Sequence, residues 1–482
     1  MSVLGVAVVV GLAVQLAVIF GFVLLERRQP AATLAWIFGV LFMPILGVLL
    51  YLMFGLRRTI KRSRKAERLA RRTAQVFRRY AVATHRDAPE AIAARAEPLV
   101  ALGMRVEHAP ASYGNAVDVL RNAGATYRAM LEAIRGATDH VHVLFYIIQP
   151  DETGRTLRSA LVERAREGVQ VRVLCDAIGS TRLPNEFWAP LREVGGVAEW
   201  FAPVRFMRPR MRRRDHINFR NHRKIVVVDG HVGLTGGINI GREYLGLDPA
   251  VGNWRDSHLR VEGPAVVGLQ QTFIEDWLAA TGELLDAPRY FPTPKEPLPG
   301  DHVVQIIASG PDRQWSLIHR LNSLAISQGR RRVWVTSPYF VPDRVIQQAL
   351  TTAALCGLDT RLLVPARSDS RLVDWAARSY YGELLDAGVR IFVYERGFLH
   401  AKTLIVDDWL GSIGSANMDM RSFHLNYELN AFVYGRPVTE ELAQHFLSDL
   451  EGAHELPRTW SQTLTYPQRL LHATAGLMSP LL

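Results

Sequence analysis

Cysteine is nearly absent: Cys175 and Cys356 are the only two in 482 residues. Two thiols exclude a disulfide-stapled scaffold, and neither falls in a Cys-x-x-Cys or Cys/His spacing that would hold zinc. Their apolar surroundings mark them as reduced, buried thiols of a cytoplasmic domain. Carboxylate clusters are also missing around the histidines discussed below, so neither a catalytic metal nor another cofactor is expected. The first residues, Met1-Ser2-Val3-Leu4, lack the basic stretch with which a cleaved signal peptide begins. Acidic side chains are scarce in two places. Residues 57–80 hold eleven basic residues and one acid, Glu67, and residues 205–214 hold six arginines and no acid. These stretches carry +10 and +6 of an overall +11, so the remainder is mildly acidic and the basic character is concentrated.

One short pattern occurs twice. His222-Arg223-Lys224, four residues and Asp229 are matched by His400-Ala401-Lys402, four residues and Asp407. Asn239 and Asn417 each follow their His by seventeen positions, so a single offset of 178 relates all four residues. Alternate side chains of an extended strand share a face, which puts each His and its Lys on one side. The runs Ile225 to Val228 and Thr403 to Val406 suit buried strands, and Asp229-Gly230 suits a tight turn. The return strands end at Gly236-Gly237-Ile238-Asn239 and Gly414-Ser415-Ala416-Asn417. Each half therefore offers one imidazole, one ammonium and one amide on a common surface.

Two such surfaces facing each other suit one phosphodiester. Lys224, Lys402, Asn239 and Asn417 can hold its oxygens without a metal, one imidazole can attack phosphorus, and the other can protonate the departing oxygen. A neutral imidazole needs a carboxylate behind it to stay oriented. Asp256, in Trp254-Arg255-Asp256-Ser257-His258, and Glu428, in Asn426-Tyr427-Glu428-Leu429-Asn430, are the candidates on the next strand of each half.

The doubled pattern with its Gly-Gly-x-Asn or Gly-Ser-x-Asn sequel resembles the phospholipase D superfamily, in which two such motifs build one active site. The resemblance implies that His222, on the N-terminal motif, is the nucleophile and His400 the acid, although the near-symmetry leaves the opposite assignment open. Asp229 and Asp407 complete the motifs and are counted with His222, Lys224, His400 and Lys402 in the expected catalytic set, although at strand ends they look more structural. Of the two equivalent positions Gly237 and Ser415, only Ser415 can donate a hydroxyl to phosphate.

The duplication extends further. Val141 to Asp151 parallels Val333 to Asp343, each an apolar strand ending at a turn, followed by helices over 156–167 and 344–355 and strands over 169–175 and 359–364. The expected fold is α/β: two homologous phospholipase D-like mixed-sheet domains with helices on both faces, preceded by a two-helix transmembrane hairpin. The boundaries read as hairpin 1–56, basic juxtamembrane linker 57–110, first domain 111–291, Pro-rich linker 292–300, second domain 301–455 and tail 456–482. That tail is either an amphipathic membrane helix or a packing helix.

Val3 to Leu25 is apolar except for Gln15, and Ala31 to Leu56 is a second such run, with Pro44 expected to kink it. The connecting loop has two basic residues, Arg27 and Arg28, against nine in 57–72, which puts the catalytic part in the cytoplasm. The basic cluster at 57–72 suits acidic head groups. The Arg205–Arg214 run reads as a solvated loop, a lipid contact or a nucleic-acid contact, with the adjacent anchor favouring lipid; nucleic acid is not expected as a partner. The segments Arg28-Gln29-Pro30-Ala31-Ala32-Thr33-Leu34-Ala35-Trp36-Ile37, Ser337-Pro338-Tyr339-Phe340-Val341-Pro342-Asp343 and Asn417-Met418-Asp419-Met420-Arg421-Ser422-Phe423 resemble bacterial cardiolipin synthases. That resemblance implies a bacterial inner-membrane phosphatidyltransferase using phosphatidylglycerol. Hydrolase and nuclease activities remain the alternatives, since water or a nucleic-acid diester can enter the same chemistry.

Overall fold

The structure, a computed structural model, describes residues 3–25, 30–51, 68, 90–202, 219–248, 252–292 and 298–479. The basic cluster at 57–72 apart from Arg68, the arginine run 205–214 and most of the linker 292–300 lie outside the described residues, as do the hairpin loop 26–29 and the end of the second apolar run.

The strands of the first half are β1 (Ala111–Arg121), β2 (His140–Phe145), β3 (Gln170–Asp176), β4 (Val197–Phe201), β5 (Ile225–Val228), β6 (Val232–Gly236), β7 (Trp254–Arg255) and β8 (Ser257–Glu262). Those of the second are β9 (His302–Ser309), β10 (Arg332–Thr336), β11 (Phe340–Val341), β12 (Asp359–Pro365), β13 (Arg390–Tyr394), β14 (Phe398–Leu399), β15 (Thr403–Val406), β16 (Leu410–Gly414), β17 (Met418–Asp419), β18 (Glu428–Tyr434) and β19 (Ala453–Glu455). Fifteen of them form one mixed sheet, β19-β13-β12-β10-β15-β16-β18-β9-β1-β8-β6-β5-β2-β3-β4. Read outward from its centre, β1-β8-β6-β5-β2-β3-β4 on one side and β9-β18-β16-β15-β10-β12-β13 on the other follow the same order. The duplicated sequence is thus a duplicated topology. The two domains share one sheet, joined by the antiparallel pairing of β1 and β9.

β5 and β15 are covered on both faces, which is why their sequences are continuous apolar runs rather than alternating ones. The parallel steps β2 to β3 and β10 to β12 cross over through helices Glu152–Arg166 and Arg344–Leu355. Asp151 and Asp343 end the preceding turns and cap these helices, accepting N–H bonds from Gly154 at 3.0 Å and Ile346 at 3.1 Å. Two central helices tie the halves together. Val266–Thr281 carries Glu275, which binds Arg313 of the second half, and Arg436–Leu450 carries Asp449, which accepts from Arg121 at 2.9 Å and Arg255 at 2.8 Å.

Part of the expected linker 57–110 is core structure. Residues Glu90–Glu107 form a helix whose Ala96 and Leu99 are buried against Ile307 and Leu317 of the second half. Its small and apolar positions Ala96, Leu99, Gly103 and Val106 recur at helical spacing, a stripe that needs a partner surface. Cys356, expected to be buried, is exposed at the end of helix Arg344–Leu355, while Cys175 is buried in β3. The tail forms a helix, Tyr466–Leu477, that buries His472 and Ala475.

The apolar N-terminal runs are helical but interrupted. Val3–Val18 continues into a π-helical turn, Ile19–Val23; Pro30–Phe42 ends at Met43, and Pro44–Leu50 begins anew. Met43 leaves the helical region (φ −126°, ψ 72°), as expected of a residue whose α conformation clashes with the following proline ring. Among the described residues no helix is long and apolar enough to cross a membrane. The two segments do pack on each other: the buried Gln15 amide donates to the Val40 carbonyl at 2.9 Å.

Candidate active site

The turns after β5 and β15 place Asp229 and Asp407 in the left-handed region, at φ +52° and +51°. Their carboxylates face away from the histidines. Asp229 accepts N–H bonds from Thr138 and Asp139 at 2.8 Å and His140 at 2.9 Å, and Asp407 from Arg331 at 2.7 Å and Arg332 at 3.0 Å. Each therefore fixes the entry to β2 or β10 and takes no part in lining the cavity described next.

That cavity, of about 470 Å³, is lined by both His222 and His400. Each imidazole arrives on an extended segment paired with the opposite half. His222 N donates to Tyr427 O at 2.9 Å and Tyr427 N to Arg220 O at 2.8 Å; His400 N donates to Arg255 O and Phe398 N to Asn253 O, both at 2.7 Å. Because Asp256 and Glu428 directly follow those partners, the carboxylates cross over. Glu428 receives Nδ1 of His222 at 3.1 Å, and Asp256 receives Nδ1 of His400 at 2.7 Å. The acid behind each ring belongs to the other repeat, not to its own. An ionised carboxylate only accepts, so each neutral ring carries its proton on Nδ1 and leaves the Nε2 lone pair free.

The electrostatics follow from burial. It works to raise both carboxyls, yet His222 and Lys224 beside Glu428, and His400 and Lys402 beside Asp256, hold them below the usual carboxylate range. Lys224 and Lys402 are pushed down by burial to about 7 and about 8, with their ammonium groups donating to the His222 and His400 carbonyls at 2.7 and 2.5 Å. Burial and the neighbouring Lys402 take His400 down to about 3; burial also lowers His222, against the pull of Glu428.

Asn239 and Asn417 both line the cavity. Asn239 accepts from Ile147 N at 3.2 Å and donates to the Tyr244 hydroxyl at 3.1 Å, whereas the Asn417 side-chain oxygen is buried without a partner. Ser415 does not reach the cavity. Its hydroxyl donates to Glu428 at 2.5 Å and accepts from Leu429 N at 2.9 Å, so it steadies the carboxylate rather than a phosphate. At the matching position a Cβ on Gly237 would lie 2.1 Å from Asp256 Oδ1, so no side chain fits there. No group of three or more His, Cys, Asp or Glu able to hold a metal ion occurs among the described residues.

A family model described as "Cardiolipin synthase, PLD-like domain" matches residues 130–277 and 323–450, and one described as "Phospholipase_D-nuclease N-terminal" matches 13–55. Cardiolipin synthase of Geobacillus thermodenitrificans is 43% identical over 463 residues, covering 95% of this chain and 90% of the relative. The major cardiolipin synthase of Bacillus subtilis is 38% identical over 478 residues, covering 95% of each. The solved phosphatidylserine synthase of Haemophilus influenzae shares the fold, with a TM-score of 0.57 at 16% identity over 76% of this chain and 95% of that one. The chain belongs to the cardiolipin synthase family of the phospholipase D superfamily.

In this member of the cardiolipin synthase family the cavity has further walls that the repeated motif did not reveal. Tyr146 stands 5.0 Å from the His222 ring and Trp254 5.2 Å from that of His400, while Phe398, 5.7 Å from the His400 ring, packs behind the lining. Arg220 and Arg421 also line it. The signal for Arg220 was its position two residues before His222 on an extended segment, which puts it on the same face. Trp254 and Asn426 were quoted only as neighbours of the carboxylates, yet both line the cavity by the same alternation.

Proposed function

We propose that the protein is a cardiolipin synthase acting on phosphatidylglycerol: the phosphatidyl group of one lipid passes to a free hydroxyl of a second, and glycerol leaves. The observation that carries this reading is one cavity lined by two imidazoles, each backed at Nδ1 by a carboxylate of the opposite repeat. Nε2 of His222 attacks phosphorus, and the bond to the glycerol oxygen breaks as His400 gives that oxygen its proton. The phosphatidyl group is then held on His222. His400, now neutral, takes the proton of the second lipid's hydroxyl while that oxygen attacks phosphorus and the nitrogen–phosphorus bond breaks. Lys224, Lys402, Asn239 and Asn417 hold the non-bridging oxygens. An anionic phosphate raises the pKa of His400 against burial and Lys402, which lower it, so bound substrate favours the acid form.

Labelled phosphatidylglycerol given to the purified enzyme should yield cardiolipin and glycerol. Phosphatidic acid as the sole lipid product would make it a hydrolase, and cleavage of DNA without lipid turnover a nuclease. His222→Ala and His400→Ala should each lower turnover on the order of 10³-fold or more. A binding protein without catalysis would show no change.

The same reading makes the apolar segments 3–25 and 31–56 a hairpin across the bacterial cytoplasmic membrane, with both catalytic halves in the cytoplasm and 57–72 against anionic lipid. The Gln15 to Val40 contact and the excess of basic residues after the second segment support it. Protease should digest the catalytic halves in inverted membrane vesicles and spare them in right-side-out ones; the reverse pattern would defeat this orientation.

A further inference from the structure

The two repeats differ beside the cavity at the positions two residues before each histidine and two before each carboxylate, of which Arg220, Asn426 and Trp254 line it. Beside His222 these positions are Arg220 and Asn426; beside His400 they are Phe398 and Trp254, whose rings meet at 4.7 Å. Arg220 is only 3% exposed. Its Nη1 faces Asp176 at 3.4 Å, and Asp176 is itself held by N–H bonds from Asn221 and Ile178, both at 2.9 Å. Arg220 Nε and Nη2, in contrast, are buried without any hydrogen-bond partner. These two groups form the side of the guanidinium that binds two oxygens at once, as Arg390 does with Glu455 in this chain at 2.8 and 2.7 Å. Asn426 lies beside it, since Tyr427 N donates to the Arg220 carbonyl. Its amide donates to Glu428 at 3.1 Å, and its buried side-chain oxygen has no partner. Arg220 and Asn426 both line the cavity, and each keeps unpartnered polar atoms buried just behind that wall, a two-pronged anion donor next to an acceptor, within reach of a ligand once either side chain turns toward it.

We propose that Arg220, with Asn426, binds the second phosphatidylglycerol: the guanidinium edge takes its phosphate and the Asn426 oxygen accepts from a glycerol hydroxyl. This rests on the function proposed above. The reacting phosphate sits where the two repeats converge and is served by matched pairs, two lysines and two asparagines. Arg220, whose counterpart in the other repeat is the apolar Phe398, suits the part of the reaction that is not symmetric. Alternate residues of an extended chain stand roughly 7 Å apart, so Arg220 is about one head group away from the phosphorus that His222 reaches. Cardiolipin carries two phosphates joined through one glycerol, which is the ligand this spacing suits.

The test is a competition for the covalent intermediate in the full-length enzyme. Phosphatidylglycerol vesicles are supplied with ethanol as a neutral acceptor, and the ratio of cardiolipin to phosphatidylethanol is measured. Both products come from one intermediate, so their ratio does not depend on how much enzyme is folded. Arg220→Gln should lower the ratio at least tenfold, and Arg220→Lys, which keeps the charge but not the two-pronged edge, should lower it less. An unchanged ratio, or loss of both products together in both variants, would overturn the proposal. If the unaltered enzyme makes phosphatidylethanol but no cardiolipin, the failure lies in the functional reading instead.

Discussion

The two repeats keep the same reactive groups and change their surroundings. Around His222 the cavity wall is cationic and amide-bearing, with Arg220 and Asn426; around His400 it carries the Trp254 ring, against which Phe398 packs from behind. The carboxylates differ too. Glu428 has the longer side chain and is steadied by Ser415 and Asn426, while Asp256 is packed against a glycine and accepts from Ser257 N at 2.7 Å. The difference teaches that duplication here preserved what acts on phosphorus, while each copy's neighbours were free to specialise toward one side of the substrate.

The strongest way to break the comparison is to remove the crossed acids one at a time. Glu428→Gln and Asp256→Asn should each lower turnover by about 10³-fold, by releasing the favoured tautomer and orientation of the opposite repeat's imidazole. Imidazole resonances recorded by NMR should show His222 perturbed by Glu428→Gln and His400 by Asp256→Asn. The reverse correspondence would show that acid and ring belong to one repeat.

Exchanging the small residues behind the acids should have a smaller and unequal effect. Gly237→Ser forces a side chain into the Asp256 carboxylate and should cost about 10²-fold in transfer, on the scale of disturbing a partner that orients a reactive group. Ser415→Gly removes a hydrogen bond to the charged Glu428, worth about 2 kcal/mol, and the acceptor of Leu429 N, and should cost about tenfold. Equal losses in initial-rate assays would mean that the two acids are held alike.

The most gradual effect is that of pH. Lys224 and Lys402, lowered by burial to about 7 and about 8, lose their protons as pH rises through that window. Binding of dimethyl phosphate, a diester whose single charge does not change across this range, should weaken roughly tenfold between about pH 6 and about pH 9, since bound anion favours the charged ammonium. Above the window, binding must therefore take up protons, which calorimetry in buffers of different ionisation heat detects. Dimethyl phosphate affinity constant across the range, without proton uptake, would show that these lysines do not hold the anion.

The histidines, lysines and asparagines were legible because strand alternation is a local property, and one offset relates both copies. The strand, helix, strand succession of each half was legible for a similar reason, through apolar runs and capped turns such as Pro150-Asp151 and Pro342-Asp343. The pairing of acid with ring was not. It depends on where Tyr427 and Arg255 lie relative to the other repeat, which follows from the central joining of β1 and β9 and leaves no trace in spacing. Ser415 was misread for a related reason: a hydroxyl near a phosphate site is expected to face the phosphate, but this one faces the carboxylate behind the ring. Helix Glu90–Glu107 was hidden by the basic stretch before it, which drew its Ala96 and Leu99 stripe into a supposed linker. Arg220 was visible in the alignment of the repeats, opposite Phe398, but a comparison that seeks identities passes over the positions that differ.

The exchange of carboxylates between repeats has a consequence for how such a molecule can arise. A single unduplicated copy would carry an imidazole and an acid that cannot meet within one chain, and it would become reactive only when two copies associated about a twofold axis, each lending its acid to the other. Fusion into one polypeptide leaves that mutual dependence intact while freeing either copy to drift, so severing the connection between them would leave two individually inert pieces whose activity depends on reassociation and scales with the product of their concentrations.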